Sequence, residues 1–221
     1  MVLFIINFKT YKEATGKNAE SLAKKLENAA EGSDVILAVQ NADLYRVSKS
    51  CRLKIFAQHI DAADFGANTG KDIAEALKEN GASGALINHS EDRAELETIR
   101  KCVEKCKAST LISVVCVAAP ELAEKVAKFM PDYIAIEPPE LIGSNISVSK
   151  ARPEVVAATI EKARKINPRI PVLCGAGITS GEDVAKAVEL GCKGILVASG
   201  VVKAVKPEEK LMEFVDAAVS D

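Results

Sequence analysis

Eight short apolar runs, each followed by a polar stretch, constrain this chain more than any other feature of its sequence. The runs are Leu3–Asn7, Val35–Val39, Ile55–Gln58, Gly84–Ile87, Leu111–Val115, Tyr133–Ile136, Val172–Cys174 and Gly194–Val197. A strand with one wet face alternates apolar and polar residues. Runs this continuous in Val, Ile, Leu and Ala are those of strands buried on both faces, as in a parallel sheet covered by helices. The stretches between them supply helices. Ala19–Ala30 carries Leu22, Ala23, Leu26 and Ala30 at helical spacing. Ser180-Gly181-Glu182-Asp183 reads as a capping box opening a helix that ends near Gly191. Arg152-Pro153-Glu154 puts proline in a first helical turn, where its missing N–H costs little. A last helix runs from about Pro207 to Val219. The segments after the second and third strands are short or irregular, so their helices are expected to be stunted.

Eight β–α alternations in 221 residues indicate a closed (β/α)8 barrel, a single domain over residues 1–221. A doubly wound open sheet uses the same pattern, and periodicity alone does not separate the two. Hydrophobic residues are 48% of the chain, with few aromatics, which suits aliphatic packing between helices and a sheet. The 29 basic and 31 acidic residues are mixed along the chain, so no basic stripe points to nucleic acid. No apolar stretch approaches the roughly 18 residues of a membrane span. Asn7 and Lys9 interrupt the first apolar run, and no small-residue cleavage site follows it, so it reads as a strand rather than a signal peptide. The expected location is the cytoplasm. The six cysteines form no C-x-x-C pair. Cys102 and Cys106 are four apart on a helical pattern, but neither histidine has ligand spacing to them, so no metal is expected.

Three strand ends carry chemistry. Tyr133-Ile134-Ala135-Ile136 ends in Glu137, then Pro138-Pro139, Glu140 and Leu141-Ile142-Gly143-Ser144. A carboxylate set among apolar residues at a strand end suits a proton-abstracting base. Leu3-Phe4-Ile5-Ile6 ends in Asn7-Phe8-Lys9, whose amide and ammonium alternate and so share a side. Gly84-Ala85-Leu86-Ile87-Asn88 ends in His89-Ser90-Glu91. Taken alone, each is also an ordinary strand terminus. Gly175-Ala176-Gly177 and Ala198-Ser199-Gly200 follow the last two strands, where small residues let backbone amides approach an anion.

Together, Asn7-x-Lys9, His89-Ser90-Glu91 and Glu137-Pro138 with Ile142-Gly143 resemble triosephosphate isomerase, and the compact length with Pro138-Pro139-Glu140-Leu141 resembles the archaeal branch of that family. The resemblance favours the closed TIM barrel over the open sheet. It implies interconversion of glyceraldehyde 3-phosphate and dihydroxyacetone phosphate through an enediolate, in glycolysis and gluconeogenesis, with no redox cofactor and no metal. It further implies Glu137 as base, His89 as electrophile, Lys9 as the cation and Asn7 as a donor to a substrate oxygen. A helix beginning just after His89 would lower its pKa and keep it neutral. Glu91 would orient Lys9, and Ser90 would support the site. Backbone amides of Ile142, Gly143, Gly177, Ala198 and Ser199 would hold phosphate, and Pro138 to about Asn145 would close over it. Gly66-Ala67-Asn68-Thr69-Gly70 resembles a loop that enters a neighbouring subunit near Lys9, so a homo-oligomer is expected, a tetramer in preference to a dimer. Glu140 stands where better-known members have Trp, Gly175-Ala176-Gly177 where they have Gly-Gly-Ser, and Ala198-Ser199 where they have Gly-Gly. Backbone donors survive those changes. The alternatives are a Schiff-base aldolase using Lys9 and a non-catalytic phosphometabolite sensor.

Overall fold

The computed structural model describes residues 1–138, 147–175 and 177–219 of the chain. Eight parallel strands close into one barrel in sequence order: β1 Leu3–Asn7, β2 Asp34–Val39, β3 Lys54–Ala57, β4 Gly84–Ile87, β5 Ile112–Val117, β6 Tyr133–Ile136, β7 Val172–Gly175 and β8 Gly194–Val197. β1 pairs with β8 as well as β2, which excludes the open sheet. Every strand lies within two residues of its expected position.

Strand parity sorts the side chains. Leu3, Ile5, Ile36, Ala38, Phe56, Leu86, Val114, Cys116, Ala135, Leu173 and Leu196 fill the barrel interior. Their sequence neighbours, such as Phe4, Ile6, Leu37 and Ile134, pack outward beneath the helices. Continuous apolarity in the strands follows from these two dry faces.

The helices are α1 Lys17–Ala29, α2 Leu44–Ser50, α3 Ala74–Glu79, α4 Leu96–Ala108, α5 Pro120–Ala127, α6 Val148–Ala151, α7 Pro153–Ile166, α8 Gly181–Glu189, α9 Ser199–Val202 and α10 Pro207–Val219. α1 buries Ala19, Leu22, Ala23 and Leu26, the face its spacing predicted. α2 and α3, after β2 and β3, are the stunted pair. α7 opens on Pro153. α8 has the capping box: the Ser180 hydroxyl accepts from Asp183 N–H, and the Asp183 carboxylate accepts from Ser180 N–H. It stops in a Schellman motif. Gly191 takes φ +95°, its N–H donates to Val188, and Cys192 N–H donates to Ala187. Among the described residues no helix is long and apolar enough to cross a membrane.

Candidate active site

Inward parity does not stop at the strand ends. Continuing Leu3 and Ile5 brings Asn7 inward, Ala135 brings Glu137, Leu196 brings Ala198, and Phe56 brings Gln58. These positions ring the C-terminal mouth of the barrel, where enzymes of this architecture place their chemistry. A cavity of about 200 Å³ lies there, lined by Asn7, Lys9, His89, Glu91, Glu137 and Gly177, and by Ala198 and Ser199. That is below the 300–1,000 Å³ of drug-sized pockets and suits a ligand of few atoms.

Lys9 sits in the left-handed region at φ 46°, a costly conformation for a side-chain-bearing residue. Two contacts hold it. Its N–H donates to Asn7 Oδ1 at 3.0 Å, and Gln58 Nε2 donates to its carbonyl at 3.1 Å. The bend carries Nζ to 2.7 Å from Glu91 Oε1. Asn7 Oδ1 is thereby occupied, and its Nδ2 is the group available to a ligand.

β4 shows the same device. Parity alone would turn His89 outward. Asn88 breaks the alternation with φ 60°, held as its Nδ2 donates to Cys116 O at 2.8 Å and its Oδ1 accepts from Ala94 N–H at 2.9 Å. His89 swings into the cavity. Glu91 N–H donates to its Nδ1 at 3.2 Å, so the neutral ring carries its proton on Nε2. Nε2 lies 3.5 Å from Glu137 Oε1, close for electrostatics but long for a strong hydrogen bond.

The expected lowering of the His89 pKa by a helix N-terminus is overturned. α4 begins only at Leu96, and a turn occupies Ser90 and Glu91. Burial pulls the His89 pKa down, but the hydrogen bond and charge of Glu137 outweigh it and hold the imidazole above its ordinary value.

Glu137 is buried, and its Oε2 finds no hydrogen-bond partner among the described residues. Its side chain rests on bare backbone: a Cβ on Gly175 would lie 2.8 Å from Glu137 Cγ. Beneath it, burial and then the nearby Glu137 charge push the Cys116 thiol well up, so it stays S–H. Ser90 is not in this cavity. It lines a second one, of about 150 Å³, on the other side of Glu137 with Asn88 and Arg93. Gly177 (φ +72°) and the start of α9 at Ser199 close the far wall. A Cβ on Gly200 would meet Ile178 O at 2.5 Å, so α9 is pressed against the loop after β7. Ile142, Gly143 and all but the first residue of the expected closing segment lie outside the described residues, as does Ala176.

Sequence reasoning missed Gln58 and Asn88, and it assigned Gly175 to the anion loop rather than to the end of β7 under Glu137. Parity was the available signal for Gln58 and Gly175. Asn88 had none, because its role rests on a positive φ. No group of three or more metal-type ligands occurs among the described residues.

A closed parallel barrel with acid–base side chains gathered at the carboxyl ends of its strands defines a (β/α)8-barrel enzyme. Comparison makes this specific. Residues 2–218 match the family model described as triosephosphate isomerase. The triosephosphate isomerase of Methanothermus fervidus is 50% identical over 215 residues, covering 96% of this chain and 97% of that one. That of Methanocaldococcus jannaschii is 45% identical over 216 residues, covering 97% and 99%. The crystal structure of triosephosphate isomerase from Bartonella henselae superposes with a TM-score of 0.77 over 97% of this chain and 99% of that one, and at 20% identity it supports the fold alone. The chain belongs to the triosephosphate isomerase family, in its archaeal-type branch, and is an isomerase.

Proposed function

We propose that the cavity interconverts glyceraldehyde 3-phosphate and dihydroxyacetone phosphate by moving one proton between adjacent carbons, with Glu137 as the base. The carrying observation is Glu137 itself: a buried carboxylate, one oxygen unpartnered and the other facing His89, in a cavity with a lysine and an asparagine. Glu137 takes the proton from the carbon beside the carbonyl and returns it to the neighbour. His89 donates from Nε2–H to the substrate oxygens, and Glu91 N–H on Nδ1 keeps that proton on the cavity side. A Glu base with a His electrophile is the pattern of triosephosphate isomerase itself, and Nε2–H donates in either charge state of the ring, so the raised pKa leaves that role in place. Lys9 supplies positive charge to the enediolate and phosphate, and Asn7 Nδ2 binds a substrate oxygen. Glu91 fixes Lys9, and Ser90, which lines the second cavity together with Glu137, is a supporting residue of the site.

In this reading the phosphate rests on backbone amides of Gly177, Ala198 and Ser199, joined by Ile142 and Gly143. Residues 138–145 close over it and keep water from the enediolate. The Lys9–Glu91 ion pair tells against the aldolase alternative, since a Schiff base forms from the neutral amine and a carboxylate partner favours the ammonium. The reaction as written uses protein groups alone. Phe65 is 76% exposed beside the exposed loop 66–70, and a cavity lined by Lys9, Thr10, His59 and Asp92 lies next to the site. These features support entry of a partner's loop near Lys9; the reading carried with it is a cytoplasmic homo-oligomer, a tetramer before a dimer.

The test is Glu137→Gln in a coupled assay of triose phosphate interconversion, with inhibition by inorganic phosphate measured alongside. Turnover should fall by about 10²–10⁴-fold or more while phosphate inhibition persists. Near-normal turnover would remove Glu137 from its role.

A further inference from the structure

The loop after β7 lines the cavity through Gly177, Ile178 and Thr179, and besides its contact with α9 and Lys210 Nζ donating to Thr179 O at 3.3 Å, a residue outside the cavity ties it down. That residue is Asp183, on the first turn of α8. Its side chain is 5% exposed, and its two carboxylate oxygens face different elements. Oδ2 accepts from Thr179 N–H at 2.9 Å, Ser180 N–H at 3.0 Å and Thr179 Oγ1 at 3.2 Å. Oδ1 lies 3.1 Å from Lys150 Nζ on α6. The Asp183 backbone joins the same link, since its carbonyl accepts from Ser149 Oγ at 3.0 Å. Ser149 Oγ in turn lies 2.6 Å from Ser147 Oγ, and both serines are buried.

A capping box needs only one oxygen of this carboxylate. The second oxygen, the lysine and the serine pair are extra, and all of them join α6 to the loop after β7. The loop after β7 forms one wall of the cavity through Gly177, Ile178 and Thr179. We propose that Asp183 is a positioning residue for catalysis, tying α6 to the loop after β7 so that the amides on that wall stay where a phosphate needs them. Burial raises the Asp183 pKa, but the Thr179 amide, Lys150 and the Ser180 amide outweigh it and hold it below the usual range, so the link stays charged at neutral pH. A salt bridge confined to the surface would contribute little. Here one partner is buried and fully hydrogen-bonded, where truncation costs most.

The inference rests on the reading of this cavity as a phosphate site, and the experiment keeps the two apart. Wild type, Asp183→Asn and Lys150→Met are assayed with glyceraldehyde 3-phosphate, with unphosphorylated glyceraldehyde, and with inorganic phosphate as inhibitor. Asp183→Asn should raise both KM for the phosphorylated substrate and Ki for phosphate about tenfold, the scale of a lost charge-assisted hydrogen bond. Its kcat/KM on glyceraldehyde should stay within about twofold, because that substrate does not use the wall. Lys150→Met, with its side chain 44% exposed and so tolerant of change, should move Ki the same way by about threefold. Proportional loss on both substrates would make Asp183 a folding residue only and overturn the proposal. So would an unmoved Ki in both variants while phosphate inhibits wild type normally. Failure of phosphate to inhibit wild type would refute the phosphate reading and the positioning role with it.

Discussion

Gly175→Ala isolates the placement of Glu137 from its chemistry. Gly175 closes β7 directly below the carboxylate, and its φ is not in the left-handed region, so alanine meets no backbone strain there. The new methyl would meet Glu137 alone among its three nearest atoms: Cγ at 2.8 Å, Oε1 at 3.2 Å and Cδ at 3.3 Å. Ordinary contact begins at 3.4 Å, so Cγ must retreat by at least 0.6 Å. A shift of about 1 Å in a reacting group costs about 10²-fold. The expected loss in kcat is therefore about 10–100-fold, about 1.4–2.7 kcal/mol of transition-state stabilisation. The base is still present and the phosphate wall untouched, so Ki for inorganic phosphate should not move, and overpacking should cost no more than about 1–3 kcal/mol of stability. The coupled assay, phosphate inhibition and a thermal melt read these quantities. Wild-type kcat in Gly175→Ala would refute the claim that Glu137 works from the position described.

Three further expectations follow from the charges and the exposed loop. Because Glu137 holds the His89 imidazole up, Glu137→Gln should lower its titration midpoint in NMR, and an unmoved midpoint would show that the pair does not interact. His59 Nδ1 lies 2.5 Å from Asp92 and Nε2 lies 3.2 Å from Asp61; burial pulls its pKa down, but these partners outweigh it and raise it. A raised histidine stabilises fully below its unfolded value and loses that contribution as pH rises through the folded one. Wild type should therefore exceed His59→Gln in melting temperature most between about pH 5 and 6.5, with the gap narrowing above that, and a gap that widens with pH would reverse the sign argument. Charging the 66–70 loop by Thr69→Glu should yield smaller species with weak activity in light scattering and assay, whereas a fully active monomeric wild type would rule the loop docking out.

The barrel was legible because burial on both faces leaves an unbroken apolar run, a signal that needs no partner strand to be read. The α8 box was equally local: Ser180 and Asp183 are three residues apart and settle each other. Lys9 and Glu91 were legible by resemblance and meet at 2.7 Å. What escaped depends on contacts between segments. Gln58 matters because it reaches the Lys9 carbonyl, 49 residues away in sequence. Asn88 matters because a positive φ turns the next residue inward, and nothing in Ile87-Asn88-His89 announces that. The His89 environment was misjudged for a related reason. Ser90-Glu91-Asp92 looks like a helix start, but the Glu91 amide is drawn back to the imidazole and Asp92 N–H to the His89 carbonyl, so the helix waits until Leu96. Asp183 reads as a cap in the sequence, and its second oxygen gained meaning only once α6 was placed beside it.

The central claim is that Glu137 carries the proton. Dihydroxyacetone phosphate turned over in D₂O and followed by NMR tests it most directly, since an enediolate reprotonated by a solvent-exchanged base places deuterium on carbon 2 of the product. Wild type should yield glyceraldehyde 3-phosphate deuterated at that carbon, and Glu137→Gln should show no incorporation above the buffer background. Deuterium entering at the wild-type rate in Glu137→Gln would contradict the account.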